Sequence, residues 1–297
     1  MIRLRRRKPW RRWTWMHRAT AALFLVALIL GRFDWFPWLK GSTTATRLFG
    51  TLWLADPLAG LEVTLATRHL SRSLLVAAGL LLLFYALAGR LFCGWVCPLG
   101  LILDLNDDLR AWVARRLRRH RRRLPDLSIP GQIKYWLLGL VLFLSLVTRL
   151  PFFQMVSPIN LVARSLIFAF DPALLVVVGL IVFEYFSRRA WCRALCPLGA
   201  FYSLVGRWGR VRVLINQEKE QAGRSCGLCT LNCPMGIPVL EQHVQKGKAT
   251  VEDPECTRCG GCVDPCPRGS LRLGLHSGLP LPILLDRPRD AGVRRWT

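Results

Sequence analysis

Acidic residues are scarce in this chain of 297 residues: 18 Asp and Glu stand against 42 Lys and Arg, so the formal net charge is +24. The mean hydropathy is nevertheless +0.30, and 52% of the residues are hydrophobic. A soluble nucleic-acid-binding protein of this charge is hydrophilic on average, and a fully disordered chain has fewer apolar residues. We therefore expect no nucleic-acid partner. The two values together are typical of a membrane protein with basic cytoplasmic segments.

Long uninterrupted apolar runs are also missing. A bilayer is spanned by about 20 apolar residues, whereas the four longest apolar cores hold only 12 to 15 residues each. Trp, Phe and Leu extend each core, with Arg or Lys at the margin, as in the interfacial belts of membrane helices. We predict four transmembrane helices, the alternative being core helices of a soluble protein. They lie at roughly 17–39, 71–92, 133–150 and 172–187.

The first of these segments lacks a signal-peptide cleavage site, because GRFDWFPW follows it in place of an A-x-A-like sequence. We therefore expect an uncleaved anchor. Lys and Arg number eight in residues 1–18 and ten in 90–134, against five in 32–72 and two in 149–172. The positive-inside rule then places both termini and the 90–134 loop in the cytoplasm. We predict a multi-pass protein of the inner (cytoplasmic) membrane, with its basic loop against anionic lipid headgroups.

The chain contains an internal duplication. RLFCGWVCPLG ends the second predicted span and RAWCRALCPLG ends the fourth, 99 residues further on. Upstream, DPLAGL at 56–61 resembles SPINLV at 157–162. Because a unit of two spans preserves orientation, the two copies form a parallel repeat, and both C-x3-C-P pairs fall on the cytoplasmic side.

The cysteines of each pair are four residues apart, so on a continuing helix their sulfurs share one face, and the proline that follows is expected to stop that helix. The pairs are Cys93 with Cys97, and Cys192 with Cys196. Four thiolates brought together suit an iron–sulfur cluster, zinc or copper(I), or the pairs could cycle between thiol and disulfide. The alternative is that they are small buried residues at helix ends. The four cysteines are thus a candidate additional thiolate site.

The region after residue 212 is more polar and holds the remaining seven cysteines. Its second motif runs C-x2-C-x2-C-x3-C-P through Cys256, Cys259, Cys262 and Cys266, which is the spacing of bacterial ferredoxins. In that spacing three close thiolates hold three corners of a cluster, and the fourth cysteine binds the other cluster of the pair. We predict at least one 4Fe–4S cluster here.

The first motif holds Cys226, Cys229 and Cys233 but has Gly223 where the first cysteine is expected. Crossed ligation then assigns Cys233 to the cluster of Cys256, Cys259 and Cys262. The other site keeps only Cys226, Cys229 and Cys266. It is predicted to be a 3Fe–4S centre, a 4Fe–4S centre with a ligand other than cysteine, or a degenerate site.

These features together resemble the NapH/MauN family of membrane quinol-dehydrogenase ferredoxin subunits. The resemblance rests on LFCGWVCPLG, WCRALCPLGA, CGLCTLNCP and CTRCGGCVDPCP, and Gly223 departs from the family's pattern. It implies a mainly α membrane protein with four transmembrane helices, arranged as two parallel two-helix repeats, and a small C-terminal α+β dicluster ferredoxin domain. The expected segments are a basic N-terminus (1–18), the first repeat (19–110), a basic loop (111–132), the second repeat (133–212), the ferredoxin domain (213–275) and a flexible tail (276–297).

The resemblance also implies a function. Electrons from membrane quinol would pass towards a partner ferredoxin and a periplasmic reductase or dehydrogenase system, so the expected partners are lipid, the quinone pool and redox enzyme subunits. Two alternatives remain open: a redox accessory protein for metalloenzyme assembly or copper handling, and a membrane redox sensor. Within the spans, Glu184 is the one candidate for accepting a proton from quinol. Arg188 lies four residues further on, so an ion pair between the two is the plainer expectation.

Overall fold

The computed structural model describes residues 12–32, 39–41, 45–48, 52–69, 71–118, 129–162, 174–217, 226–267 and 269–275. Gly223, most of the basic N-terminus, residues 119–128 of the basic loop and the tail from residue 276 lie outside these ranges.

The structure is mainly helical, and each of the four predicted spans contains one helix. The helices are α1 (Arg12–Arg32), α2 (Pro57–Thr67), α3 (Arg72–Ala88), α4 (Leu91–Trp95), α5 (Pro98–Arg118), α6 (Ile133–Thr148), α7 (Phe152–Val156), α8 (Leu174–Phe186), α9 (Pro197–Val205) and α10 (Leu228–Leu231). The strands are β1 (Leu39–Gly41), β2 (Ala45–Leu48), β3 (Leu52–Ala55), β4 (Val211–Ile215) and β5 (Leu271–Leu275). Helix α5 extends beyond residue 110 and therefore continues into the segment predicted to be a basic loop.

The four apolar helices differ in length. Within the described residues, only α1 is both long and apolar enough to cross a membrane, over Arg12–Leu30. The helices of the other three predicted spans are apolar but have 17 residues or fewer. Each of the four nevertheless carries large apolar side chains that are more than two-thirds exposed, namely Leu23 on α1, Val76 on α3, Trp136 on α6 and Leu175 on α8.

The segment between the first two spans, predicted only as an outer loop, is folded. Strands β1, β2 and β3 form an antiparallel sheet in which Leu39 pairs with Leu48 and Ala45 with Ala55. Helix α2 then begins at Pro57, and the Asp56 carboxylate caps it by accepting a hydrogen bond of 3.4 Å from the Ala59 amide.

Helix α2 turns back into the protein. It packs against α3 and α6. At its start, Tyr202 of α9 donates a hydrogen bond of 2.5 Å to Asp56. In the second repeat the matching segment begins another helical turn at 158–162. Leu58 and Ile159 occupy the same place in the two copies, and both are buried in one core. The duplication seen in the sequence is therefore also a duplication of structure.

The ferredoxin domain is closed by the antiparallel pair β4 and β5, in which Val213 lies opposite Leu273. Between these strands are the two cysteine motifs and a π-helical turn, Leu240–Val244. The domain has its own core, which includes Val213, Leu271 and Cys262, and Trp13 of α1 belongs to it. Helix α1 therefore joins the ferredoxin domain to the helical part of the chain.

Candidate iron–sulfur sites

The first cysteine pair lies at the junction of two helices. Cys93 is inside the short helix α4, whereas Cys97 comes after that helix has ended and directly before Pro98. Proline is favoured at the first position of a helix, where its missing N–H has no partner to lose. The expectation of one continuing helix that stops at the proline is therefore wrong, because Pro98 begins α5.

The second pair has the same arrangement. Cys192 lies in the π-helical turn Trp191–Leu195, and Cys196 is the N-cap of α9, with Pro197 at the first helical position. The Cys196 Sγ accepts a hydrogen bond of 3.3 Å from the Gly199 amide. In both repeats the helix dipole of the following helix therefore points its positive end at the second cysteine.

All four of these cysteines line one cavity between the repeats: Cys93, Cys97, Cys192 and Cys196. Two arginines, Arg90 and Arg189, line it as well. Each precedes the first cysteine of its pair by three residues, and each is almost fully buried. The cavity therefore combines four thiols with two guanidinium groups, and the Asp104 carboxylate also lines it. Guanidinium N–H groups are strong donors to anionic acceptors such as thiolates.

The wall of this cavity also holds unused hydrogen-bond donors. Arg90 Nε and Trp191 Nε1 are buried and have no hydrogen-bond partner among the described residues. Burial raises the pKa of Cys97 and of Cys196 to about 12, so both thiols are protonated when nothing is bound. A cluster or soft metal displaces such protons, and its anionic ligands would satisfy the orphaned donors. The donor set therefore fits an iron–sulfur cluster.

A second cavity lies inside the ferredoxin domain and is lined by Cys233 of the first motif together with Cys256, Cys259 and Cys262 of the second. These are the four residues that crossed ligation assigns to the complete site. Burial raises the pKa of the Cys256 thiol to about 12 and that of Cys259 to about 11. Their grouping fits a 4Fe–4S cluster, and the ligation itself remains a prediction.

Cysteines placed for a cluster differ from those placed for a single ion. In a 4Fe–4S cluster with four cysteines each iron takes one thiolate, so the sulfurs surround a cavity and do not converge on one point. Across the described ranges, no three His, Cys, Asp or Glu side chains are grouped so as to hold one metal ion.

Cys259 belongs to both cavities. It lines the cavity of the ferredoxin domain and also the cavity of the two C-x3-C-P pairs. Thr257 lies on both walls too. The two groups of cysteines are thus direct neighbours, although Cys93 and Cys259 are more than half of the chain apart in sequence.

The remaining three ferredoxin cysteines are less enclosed. Cys226 is exposed, Cys229 is buried and Cys266 is half-buried. Burial raises the pKa of Cys229 to about 11, and the nearby Cys226 also contributes to this rise. Cys266 Sγ lies 3.1 Å from the Ser270 hydroxyl, which can donate a hydrogen bond to it. The predicted fourth position, Gly223, is outside the described residues.

The ferredoxin domain docks closely on the first C-x3-C-P segment. A Cβ atom added at Gly94 would lie 2.6 Å from the Thr257 carbonyl oxygen, so the glycine allows the two backbones to touch. Trp95 Nε1 donates a hydrogen bond of 3.2 Å to the Arg258 carbonyl. The Arg258 side chain crosses the interface in turn, donating to the carbonyls of Ala88 and Gly206.

A buried ionic cluster, formed by Arg90, Lys134, Tyr135 and Glu255, joins the same parts. Arg90 and Lys134 are each 1% exposed, and both contact the Glu255 carboxylate, Arg90 at 2.6 Å. Tyr135 donates a hydrogen bond of 2.9 Å to the other oxygen. Burial alone would raise the pKa of Glu255, but these partners outweigh it and lower the pKa. Because Glu255 precedes Cys256, this cluster fixes the second ferredoxin motif against both repeats.

A second ionic cluster lies beside the cysteine pair of the second repeat and joins it to α5. Arg189 contacts Asp104 and donates a hydrogen bond of 2.9 Å to Asp107, both on α5. His17 of α1 lies 2.9 Å from Asp104. Asp264 of the ferredoxin domain accepts hydrogen bonds from the first amides of α1, including one of 2.9 Å from Thr14. Both arginines of the duplicated motif are therefore paired with carboxylates, Arg90 with Glu255 and Arg189 with Asp104 and Asp107.

The predicted pair of Glu184 and Arg188 does not form. Glu184 is 3% exposed and accepts a hydrogen bond of 2.5 Å from the Trp191 amide, while Arg188 forms an ion pair with Asp107. Glu184 thus anchors the π-helical turn that carries Cys192. Its carboxylate holds the backbone next to a cysteine, and its role as a proton acceptor stays a prediction.

Sequence reasoning missed the side chains that surround the cysteines. Arg90 and Arg189 had a signal, because the same residue type recurs at the same position of both motif copies. Glu255 had a weaker signal. It is an acidic residue directly before a ferredoxin cysteine, and its importance is clear only when its partners Arg90 and Lys134 are known. Lys134 and Tyr135 had none, being ordinary residues at the margin of a span.

Comparison with known protein families agrees with this arrangement. A family described as a 4Fe-4S binding domain matches residues 72–123 and 172–216, which are the two C-x3-C-P segments. A family described as a 4Fe-4S dicluster domain matches residues 224–271. The fold and the cysteine groups thus define a ferredoxin-type iron–sulfur protein of electron transport. No solved structure matches the chain.

Relatives cover most of the chain. It is 34% identical over 269 residues to the ferredoxin-type protein NapH of Escherichia coli (strain K12), covering 86% of this chain and 88% of NapH. The methylamine utilization ferredoxin-type protein MauN of Methylobacillus flagellatus is 31% identical, covering 90% and 92%. The putative electron transport protein YccM of Escherichia coli (strain K12) is 32% identical, covering 88% and 76%. The chain belongs to the NapH/MauN family of ferredoxin-type proteins.

Proposed function

We propose that this protein is a multi-pass membrane ferredoxin that takes electrons from membrane quinol and passes them towards a partner ferredoxin and a periplasmic reductase or dehydrogenase system. The observation that carries the proposal is the pair of adjoining cysteine-lined cavities that share Cys259. One is built from the ends of two predicted spans and the other belongs to the ferredoxin domain. Redox groups held there would lie between the membrane and the cytoplasmic domain.

The cysteines of the two cavities have distinct proposed roles. Those of the ferredoxin domain hold two iron–sulfur clusters: Cys233, Cys256, Cys259 and Cys262 hold the complete one, and Cys226, Cys229 and Cys266 hold the incomplete one. Those of the C-x3-C-P pairs hold a further cluster, supported by the orphaned donors of Arg90 and Trp191. When bound, these groups supply one-electron redox chemistry. The chain's own side chains position the thiolates and offset their charge.

A membrane position is supported by the surface of the four apolar helices. Contiguous exposed apolar faces are uncommon on soluble proteins and mark contact with a membrane or a partner. Such residues occur on α1, α3, α6 and α8, and only 22% of the apolar window of α1 is buried. We propose four spans with both termini in the cytoplasm of a bacterial inner membrane.

This topology predicts the outcome of reporter fusions. A reporter that works only in the cytoplasm should be active after Thr297, and one that works only in the periplasm should be active when inserted near Gly41. The physical reason is the excess of Lys and Arg in residues 1–18 and 90–134. Periplasmic activity at the C-terminus would reverse the proposed sidedness of every cysteine.

Iron analysis and quinol reduction test the proposed function. Anaerobically purified protein should contain roughly seven or eight iron atoms from the ferredoxin motifs and about four more from the C-x3-C-P cavity. Decylubiquinol or menadiol should then bleach part of the visible iron–sulfur absorption. The double variant Cys97→Ala/Cys196→Ala should retain only the ferredoxin iron. Stoichiometric zinc without visible absorption would refute the cluster assignment, and full iron content with no bleaching by either quinol would refute electron entry from quinol.

A further inference from the structure

A third cavity, apolar and separate from both cysteine cavities, lies where α1, α3 and α4 meet the ferredoxin sheet. Its volume is about 640 Å³, within the range of small-molecule sites. Six aromatic side chains line it: Trp13, Phe24, Phe84, Tyr85, Phe92 and Trp95. Most of the remaining wall is aliphatic. A flat aromatic ring is the kind of ligand that such a wall accommodates.

The cavity is reached from the apolar surface of the helices. Leu23 of α1 and Phe84 of α3 both line it, and they are 70% and 53% exposed. Its mouth therefore lies on the exposed apolar faces that we propose to be in contact with lipid. A lipid-soluble ligand could enter without crossing water.

Two hydroxyl groups belong to the wall. Tyr85 is 8% exposed, no hydrogen bond of its hydroxyl is found among the described residues, and the oxygen is not one of the fully buried atoms without a partner, so it remains accessible. The other hydroxyl, that of Thr20, is already engaged, since its oxygen lies 2.9 Å from the His17 carbonyl and 3.0 Å from the Trp95 carbonyl and donates its one hydrogen there. An accessible phenol hydroxyl can donate a hydrogen bond to an oxygen of a ligand that is placed beside it. An acyl chain could not provide such an oxygen.

The cavity adjoins the candidate redox site. Phe92 lines both this cavity and the cavity of the four C-x3-C-P cysteines, and Cys93 is the next residue. On the other side, the Tyr85 ring lies 4.8 Å from the ring of Tyr202, whose hydroxyl binds the Asp56 carboxylate. A ligand in this cavity is thus separated from the cavity of the C-x3-C-P thiols by one side chain, that of Phe92.

From these observations we infer that this cavity binds the ring of a membrane quinol, with the Tyr85 hydroxyl hydrogen-bonded to one ring oxygen. The inference rests on the proposed function and assigns a place to its substrate. The ligand must have an aromatic ring that contacts the walls and an oxygen that accepts the Tyr85 hydrogen bond. It must also have an apolar tail that leaves through the mouth between α1 and α3.

Binding to the full-length protein in detergent, measured by calorimetry with decylubiquinone and with menadione, tests the inference. Tyr85→Phe keeps the ring and removes the hydroxyl, so affinity should fall about five- to tenfold, the size of one hydrogen bond. Ala27→Phe places a ring in the cavity and should abolish binding. Tyr185→Phe, in another predicted span, and Ala22→Phe, on α1 away from this wall, are the controls and should bind as the unaltered protein does.

The outcomes separate the inference from the proposed function. If quinone binds but neither Tyr85→Phe nor Ala27→Phe weakens it, the ring binds elsewhere and the inference fails while the function stands. If iron-loaded unaltered protein binds no quinone at all, both fail. If a decyl-chain detergent displaces decylubiquinone one for one and Tyr85→Phe has no effect, the cavity is an acyl-chain site and the inference is overturned.

Discussion

Cys233→Ala should remove the same cluster as Cys259→Ala, although Cys233 belongs to the other motif. The expected loss is about four iron atoms per chain in each variant. The reason is the shared cavity, in which Cys233 lies with three cysteines of the second motif. Iron analysis and EPR of anaerobically purified protein would measure both effects.

Cys229→Ala is the matched control, since Cys229 lies in the same motif as Cys233 but is assigned by the proposed crossed ligation to the incomplete site. It should leave the spectrum of the complete cluster unchanged and remove any 3Fe–4S signal of the oxidised protein. Adding the missing thiol by Gly223→Cys should convert that signal to one of a 4Fe–4S centre on reduction. If Cys233→Ala instead reproduces the spectrum of Cys229→Ala, each motif binds its own cluster and the crossed assignment is wrong.

Glu255→Ala should be among the most destabilising substitutions in the chain. It leaves Arg90 and Lys134, both 1% exposed, without the carboxylate that they share. Removing one partner of a buried ionic group costs about 3–5 kcal/mol, because the remaining charge stays desolvated. Thermal unfolding in detergent, followed by near-ultraviolet circular dichroism, should show a clearly lower midpoint, and the ferredoxin domain should become sensitive to protease.

Glu252 provides the control, because it lies three residues away in the same loop and its side chain is 47% exposed. Its ion pairs with Lys248 and Arg212 are at the surface, so Glu252→Ala should cost at most about 1 kcal/mol. Equal midpoints for the two variants would contradict the role given to the buried cluster. Protease resistance of Glu255→Ala would show that other contacts suffice for docking.

The cysteine groups were predictable because cluster ligation leaves a local record. Three thiolates that hold one cluster come from a short loop of fixed spacing, so the spacing of Cys256, Cys259 and Cys262 predicts a cluster from the sequence alone. The duplication was equally visible, since six of the eleven residues of RLFCGWVCPLG recur at the same positions of RAWCRALCPLG. The grouping of Cys233 with the second motif followed from the same chemistry.

Other features could not be predicted from local pattern. Arg90 and Glu255 are 165 residues apart, and the sequence around each residue does not indicate that the two form an ion pair. The sequence predicts only a loop for the first outer segment, because strands of three or four residues are too short to give a clear pattern. Helix α2 returns to the core, where Asp56 at its start accepts a hydrogen bond from Tyr202. The two residues are 146 positions apart in sequence. The helical start at Pro98 was misjudged because proline can end a helix or begin one.

The two repeats differ at one position next to the first cysteine of each pair, which is Gly94 in the first copy and Arg193 in the second. Duplication of one ancestral unit produces two identical surfaces, but this chain has a single ferredoxin domain to cover them. In the first copy Gly94 lets the Thr257 backbone approach directly, whereas in the second copy Arg193 fills the gap and reaches Gly236, where an added Cβ would lie 3.2 Å from its guanidinium carbon. The two copies therefore present different surfaces to the ferredoxin domain. Together with the contacts of Arg258 and Glu255, this difference gives the domain a single orientation on the two repeats.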